Sequence, residues 1–458
     1  MPVPRHRRFQ RRPWTAAALL TGLLAALLLP GGLAGAAAAD APDHRALRPD
    51  LHGTALAWGG NGYGQLGDGT TVGDSTTPTP VCGAAPCTAP LEEVVSVAAG
   101  LLHSIALRSD GTVLAWGYNH EGELGDGTGD DRITPTRVCD VGQSAPCSSY
   151  LHDVVAVAAG DWHSLALLAD GSIVAWGLNS SGQLGDGTTD NRAVPVLIGA
   201  AGAVAVSAGA NHSMALGTDG FVLTWGDNGH GQLGDGSTTD RTRPYTVCLD
   251  DFCDPRDHVI AIAGGGDRSV ALRREGTVMA WGDNTAGQLG DGTTVDRGLP
   301  VWVCATGATA PCGPVGTVLG GITAIAAGAG HTVALRSDGT LRAWGINGYG
   351  QLGDGTYTSR RTPVRVCAGN ATAPCGTFQS GISAIAAGFE FSVALRSDGG
   401  VRAWGNNDHG QLGDGTAQYR NTPVRVCALG QTAPCDTPLG GVGAIAAGRD
   451  HTLAVVRS

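Results

Sequence analysis

The chain contains no lysine: all 29 of its basic residues are arginine, against 40 acidic residues. Five of them (Arg5, Arg7, Arg8, Arg11 and Arg12) lie in the first 39 residues, so the remainder sets 24 arginines against 40 acids, a formal net charge of −16. Phosphate backbones and anionic lipid are held by clustered positive charge, and the sequence shows no such cluster, which argues against nucleic acid or a membrane surface as partner. No Gly-Lys-(Ser/Thr) and no helix start follows the glycine-rich segments, so they are not phosphate cradles. Aromatic residues make up only 5%, so each one on a turn stands out. Beyond residue 39 no stretch keeps a helical period, and the fold class expected is all-β.

What the chain does have is one phrase written seven times, Ala-Trp-Gly-x-Asn-x-x-Gly-Gln-Leu-Gly-Asp-Gly-Thr with small variations, around Trp58, Trp116, Trp176, Trp225, Trp281, Trp344 and Trp404. Equal units that cannot bury an apolar face alone must stack on one another, as an open solenoid or a closed ring. The two ends decide. A second motif, such as 155–160 followed by His163 and the Asp170-Gly171 turn, precedes each internal tryptophan but is missing before Trp58. It reappears after Trp404, as Ala444 to Gly448 and His451, where the chain stops. Two half-units make one whole, which predicts a seven-bladed β-propeller over 51–458, its last blade zipped from both termini. Within a unit, 154–158, 164–168 and 173–177 read as strands, with an Asp-Gly hairpin between the second and third and a weaker fourth strand such as 135–139.

The first 39 residues differ in kind. Arginines precede an apolar run over 15–29 and small residues through Ala37-Ala38-Ala39, the pattern of a secretory signal peptide, with 40–50 as a linker. The run is shorter than the roughly 18–20 residues a membrane span needs. Export makes disulfides permissible, and all twelve cysteines fall in six close pairs: Cys82/Cys87, Cys139/Cys147, Cys248/Cys253, Cys304/Cys312, Cys367/Cys375 and Cys427/Cys435. Each lies between the fourth strand of one unit and the first of the next, and is expected to close its own loop. One pair with no nearby histidine does not supply the four ligands of a zinc site.

Trp-Gly-x-Asn-x-x-Gly-Gln-Leu-Gly-x-Gly, preceded by Ala-Ala-Gly-x-x-His-(Ser/Thr)-x-Ala-Leu, resembles the repeat of the regulator of chromosome condensation family over 54–458. The resemblance implies a seven-bladed propeller. It also implies two precedents: guanine nucleotide exchange on a small GTPase with nucleosome binding in the founding nuclear member, and β-lactamase inhibition in secreted bacterial members. Fold alone transfers neither activity.

Two symmetric sets of residues invite a metal reading. His103, His163, His212, His331 and His451 share one register, with Arg268 and Phe391 in the other two blades; repetition of this kind marks a structural role, expected to be a bond to a neighbouring blade's backbone. Asp68, Asp126, Asp186, Asp235, Asp291, Asp354 and Asp414 each offer one carboxylate per loop, too few for calcium, and suit tight turns instead. No nucleophile and base stand together, so no catalytic residue, metal or cofactor is expected.

Strands one and three of a four-stranded meander run the same way, so their far ends share one face. Two sets of residues there vary while their surroundings repeat: Leu101, Leu102, Asp161, Trp162, Asn211, Asp267, Phe389, Glu390, Arg449 and Asp450 in the first, Tyr63, His120, Glu121, His230, Tyr349 and His409 in the second. Aromatic anchors ringed by polar groups are how protein interfaces concentrate energy. The expectation is a secreted or extracytoplasmic monomer that binds an extracellular or cell-envelope protein through this face, such as an enzyme it inhibits. The alternatives are an envelope or matrix scaffold, an exchange factor, and a small-ligand or enzymatic site at the axial mouth, which requires Asp161, Asp267, Glu390 and Asp450 to converge with raised pKa values.

Overall fold

The computed structural model describes residues 52–457, apart from 84, 201, 250–258, 309–311, 313–316, 370, 372–373 and 432–434. The signal-peptide and linker expectations lie outside the described residues. Among the described residues, twenty-eight strands form seven four-stranded antiparallel blades. Blade 1 is Val94–Ala99, His103–Arg108, Val113–Gly117 and Arg132–Arg137; blade 2 runs from Val154–Ala159 to Arg192–Leu197. Blades 3 to 6 begin at Ala203–Ala208, Val259–Gly265, Ile322–Ala327 and Ile382–Ala387. Blade 7 joins the chain ends: Val442–Ala447 and His451–Arg457 pair with Gly53–Gly59, whose other edge carries Ser75–Pro80. The closing register runs without a slip from Gly53 opposite Arg457 to Gly59 opposite His451. Each innermost strand touches the next around the circle, and blade 7 touches blade 1, so the ring is closed.

The core lies between the blades. The second strand of every blade is buried over its first five residues, and all seven motif tryptophans are fully buried. Trp116 of blade 1 sits in one cluster with Leu66, Val81 and Leu453 of blade 7, the arrangement by which a unit that cannot close its own core closes its neighbour's. The glycine of Leu-Gly-Asp serves this contact. Gly67 has φ +66°, and a Cβ there would lie 2.7 Å from the Trp116 indole nitrogen.

The fourth strand is displaced from the expected 135–139: it begins at Arg132 and ends at Arg137, and Cys139 makes only an isolated bridge to Tyr150. Five cysteine pairs are disulfides, Cys82–Cys87, Cys139–Cys147, Cys304–Cys312, Cys367–Cys375 and Cys427–Cys435, closing loops of 5 or 8 residues. Cys253 of the sixth pair lies outside the described residues.

Candidate interaction face

The symmetric polar residues are spent on joining blades. The hydroxyl of Ser164 donates to the Glu123 carbonyl of the preceding blade at 2.9 Å, and Trp176 Nε1 donates to the same carbonyl at 2.8 Å. That hydroxyl has then used its only proton, so His103 Nε2 must be the donor in the 3.0 Å bond it makes to Ser164. The same pairing joins His163 to Ser213, His212 to Ser269, His331 to Ser392 and His451 to Ser104. The histidine register is therefore structural, but its partner is a serine hydroxyl and not the backbone, which corrects the expectation. Burial holds these imidazoles neutral, pushed down to about 3 for His103, His163 and His331 and to about 4 for His212 and His451. Arg268 reaches across instead to the Gly328, Ala329 and His331 carbonyls.

The loop aspartates are spent as well. Asp126 accepts from Asn119 Nδ2, from the Thr128 amide and hydroxyl, and from Arg132. Burial alone would raise its pKa; the hydrogen bonds from Thr128 and Arg132 outweigh it and hold the carboxyl below its ordinary value. Five further loops repeat the ion pair, Arg192–Asp186, Arg241–Asp235, Arg297–Asp291, Arg360–Asp354 and Arg420–Asp414. Asp68 lacks it, because Ser75 begins that strand.

Around the axis, backbone bonds link the turns after the innermost strands at six of the seven joins, and between blades 4 and 5 the Arg268 guanidinium reaches the Ala329 carbonyl instead. Leu101 N donates to Asp161 O, Asp161 N to Ala210 O, Ala210 N to Gly266 O, Ala329 N to Phe389 O, Phe389 N to Gly448 O, and Arg449 N to Gly100 O, at 2.9–3.3 Å. Leu101 is buried in this ring at 7% exposure, so it is not a surface contact, contrary to the expectation. Leu102 is half-buried, and Asn211 accepts from Gln183 of the neighbouring loop. Phe389 is 37% exposed with the Arg449 guanidinium 5.6 Å above its ring, and Arg449 pairs with Asp450 at 3.3 Å.

Two aromatic groups form on this face. Tyr63 of blade 7, Tyr118 and His120 of blade 1 and Trp162 of blade 2 run in a row: Tyr118 meets Tyr63 at 5.3 Å and Trp162 at 5.1 Å edge-on, and His120 at 4.5 Å with the rings tilted by 40°. Trp162 is thereby half-buried rather than free on its turn. Tyr349, also half-buried, meets Tyr419 edge-on at 5.0 Å. Glu121 accepts from Asn191, His409 is bonded to Asp74 at 2.7 Å, and His230 to Asp296 at 3.0 Å. Among the described residues, His230, Asp283 and Asp296 bring three metal-type ligand atoms within 4.8 Å; Asp283 is already held by Gln288 and Thr285.

The four carboxyls required by the axial reading are all pushed upward, and burial is the leading cause for each. Asp161 reaches about 6, with Asp267 adding to the rise, and Glu390 is raised further by Asp450. Arg449 lowers Asp161, Glu390 and Asp450 in turn.

Residues 152–458 match the RCC1-like domain, and residues 52–107 and 110–167 match the regulator of chromosome condensation (RCC1) repeat. The chain belongs to the RCC1-like family. It is 31% identical over 369 residues to the ultraviolet-B receptor UVR8 of Arabidopsis thaliana, covering 80% of this chain and 64% of that protein. It is 30% identical over 381 residues to the E3 ubiquitin-protein ligase HERC2 of Homo sapiens, covering 83% of this chain and 6% of the ligase. The chain thus spans less than two thirds of either relative. The crystal structure of human WBSCR16 superposes with a TM-score of 0.70 at 21% identity, covering 89% of this chain and 99% of that one. That of Prp20p from Saccharomyces cerevisiae, a protein with binding properties toward Gsp1p and histones, gives 0.68 at 23% identity, covering 91% and 94%. At these identities the likeness establishes the shared propeller fold.

Against its own repeat, the RCC1-like chain departs most sharply at Glu123. Six units carry glutamine there, whose amide oxygen accepts a backbone N–H two residues earlier, as Gln65 does from Tyr63. Glu123 accepts from Glu121 N in the same way, but its Oε1 is buried with no hydrogen-bond partner. Burial pushes this carboxyl up to about 8, so it is protonated at neutral pH; burial also raises Tyr118, and Glu123 adds to that rise once it ionises. Sequence reasoning passed over Glu123 and Tyr118; the signal was a single glutamate for glutamine inside an otherwise constant phrase.

Proposed function

We propose that this RCC1-like propeller is an exported protein-binding module that engages its partner through the aromatic row Tyr63–Tyr118–His120–Trp162. The observation that carries the reading is that three neighbouring blades bring aromatic rings into contact, with Tyr118 set between Tyr63 and Trp162 in a register that holds Gly60, Leu178, Asp227, Asp283, Ile346 and Asn406 in the other blades. Aromatic anchors dominate interface energies. Glu121 and Asp131 beside them, and the chain's net acidity, favour a partner that is basic or neutral at this spot. Export rests on the leader pattern and is supported by the loop disulfides, stable in an oxidising compartment. An extracellular enzyme inhibited by this contact fits the reading; nucleotide exchange on an intracellular GTPase does not fit export.

The test is a pull-down from the host's extracellular and envelope fractions, with the intact propeller and a Tyr63→Ala/Trp162→Ala double variant as baits. A protein kept by the first and lost by the second, with both melting as folded proteins, is the expected result. Identical capture by two folded baits would overturn it. The raised carboxyls Asp161 and Asp267 favour a second reading, a small cationic ligand near the axis, which Asp161→Asn would abolish while sparing protein capture.

A further inference from the structure

We infer an oxyanion-binding site on the opposite face of the ring, in blade 6. There Arg396, Arg402 and Arg425 line a cavity of about 210 Å³ together with Phe378, Gln379 and Ser380 from the incoming loop. Arg402 and Arg425 are register partners on adjacent strands, an arrangement that like charges make unfavourable unless something compensates it. The compensation present is slight. Asp398 pairs with Arg396 at 2.9 Å, Arg402 makes a single 3.4 Å bond to the Val401 carbonyl, and Arg425 makes no hydrogen bond or ion pair among the described residues. Three guanidinium groups and one carboxylate leave two positive charges on one cavity of an acidic protein. A fourth guanidinium, Arg365, stands 4.9 Å over the ring of Phe378 at the rim.

Blade 5 supplies the control within the same molecule. It carries the same trio, Arg336, Arg342 and Arg365, with Arg342 opposite Arg365 and Asp338 pairing with Arg336 at 3.1 Å. There Arg342 is buried and its Nε donates to Thr306 Oγ1 at 3.0 Å. Thr306 lies two residues after Cys304; two residues after Cys367, the same place in the next loop is Gly369. A Cβ at Gly369 would stand 3.9 Å from both Arg402 Nε and Gln379 Nε2. Its φ is not in the left-handed region, so the backbone does not demand glycine. The missing side chain opens a space toward which a guanidinium and an amide donor face. Forked guanidinium donors suit the oxygens of a compact dianion, a phosphate or sulfate group, either free or as a monoester on a larger molecule.

Calorimetric titration of the intact protein with inorganic phosphate at constant ionic strength tests this, with sulfate and glycerol phosphate as parallel ligands and acetate as the singly charged control. Saturable one-to-one binding of phosphate or sulfate, at least tenfold tighter than acetate, is expected. Gly369→Thr, which rebuilds the blade 5 arrangement, and Arg402→Gln should each weaken it at least tenfold. A Cβ at 369 would lie 3.0 Å from the Pro423 carbonyl, so if Gly369→Thr fails to fold, Arg402→Gln decides. Tighter binding of glycerol phosphate than of inorganic phosphate identifies a monoester ligand, and equal or weaker binding the free ion. No saturable binding of either dianion, or binding unchanged in folded Arg402→Gln, overturns the site.

Discussion

Replacing Glu123 by glutamine should stabilise the protein, and by an amount that grows with pH. The carboxyl is fully buried, Oε1 has no partner, and its pKa stands at about 8 where an unperturbed glutamate titrates near 4.5. A folded-state pKa above the unfolded value means that stability is intact below pH 4.5 and falls as pH rises toward 8, because only the unfolded chain releases the proton. One pKa unit is 1.36 kcal/mol, so the cost is about 3 kcal/mol at pH 7 and about 5 kcal/mol above pH 8. Glu123→Gln removes that term and keeps the acceptor for the Glu121 amide. Every other titrating group is common to both proteins and cancels in the difference. The stability gap in favour of the variant should therefore widen by about 4 kcal/mol between pH 5 and pH 8. For a ring of this size that corresponds to roughly 5 °C in melting temperature, scaling the per-residue unfolding entropy. Melting followed by circular dichroism across that range is the assay. A gap that stays constant or narrows would refute the assignment of Glu123 as a buried neutral acid.

The histidine ring predicts the opposite pH trend. Folded pKa values of about 3 to 4 lie below the unfolded value of 6.5, so stability is complete above pH 6.5 and is lost as pH falls. At pH 5 the cost is about 2 kcal/mol for each imidazole, or about 10 kcal/mol for the five. His163→Phe, copying Phe391, should lessen the acid loss measured by urea unfolding at pH 7 and pH 5 by about 2 kcal/mol; an unchanged loss would contradict the neutral Nε2 donor. Arg132→Ala should cost about 1–2 kcal/mol by leaving the buried Asp126 carboxylate to Thr128 and Asn119 alone. Neither EDTA nor added calcium should move the melting of either protein, and a calcium-dependent rise would return these loops to the metal reading.

The tryptophan phrase and the split final unit made the ring and its closure legible, because both are statements about periodicity and need no knowledge of distance. The cysteine pairs were legible for a similar reason: partners 5 or 8 residues apart sit within one loop. The partner of the histidines was not. It is fixed by how one blade leans on the next, which brings residues 61 apart in sequence, such as His103 and Ser164, to 3.0 Å. Leu101 and Trp162 were placed on the correct turns but at the wrong depth, because turn position does not reveal that the ring of backbone bonds buries one and that Tyr118 half-covers the other. The arginine six residues after six of the seven loop aspartates was in plain view and went unread. The aspartate alone already satisfied the rules for a tight turn.

A repeat protein carries its own reference state, and that changes what a residue's identity can mean. Where the blades agree, the side chains are consumed internally: indole, serine and glutamine carbonyl at the joins between blades, asparagine, threonine and aspartate within each loop, with an arginine added in six of the seven. Such residues cannot be given to a partner without opening the ring. Where a single blade departs, the scaffold no longer explains the residue, and the departure has a measurable cost or opening. Glu123 for glutamine leaves a buried oxygen unpaired beneath the row of aromatic rings. Gly369 in the place of Thr306 leaves a guanidinium without its acceptor beside a cavity. Phe391 for histidine does neither, since it fills the imidazole's place with apolar surface and forfeits only one hydrogen bond. Departures that strand a polar group are the ones that call for a partner, and by that criterion the aromatic row over blades 7, 1 and 2 and the arginine cavity of blade 6 are separate surfaces, on opposite faces, open to independent loss by mutation.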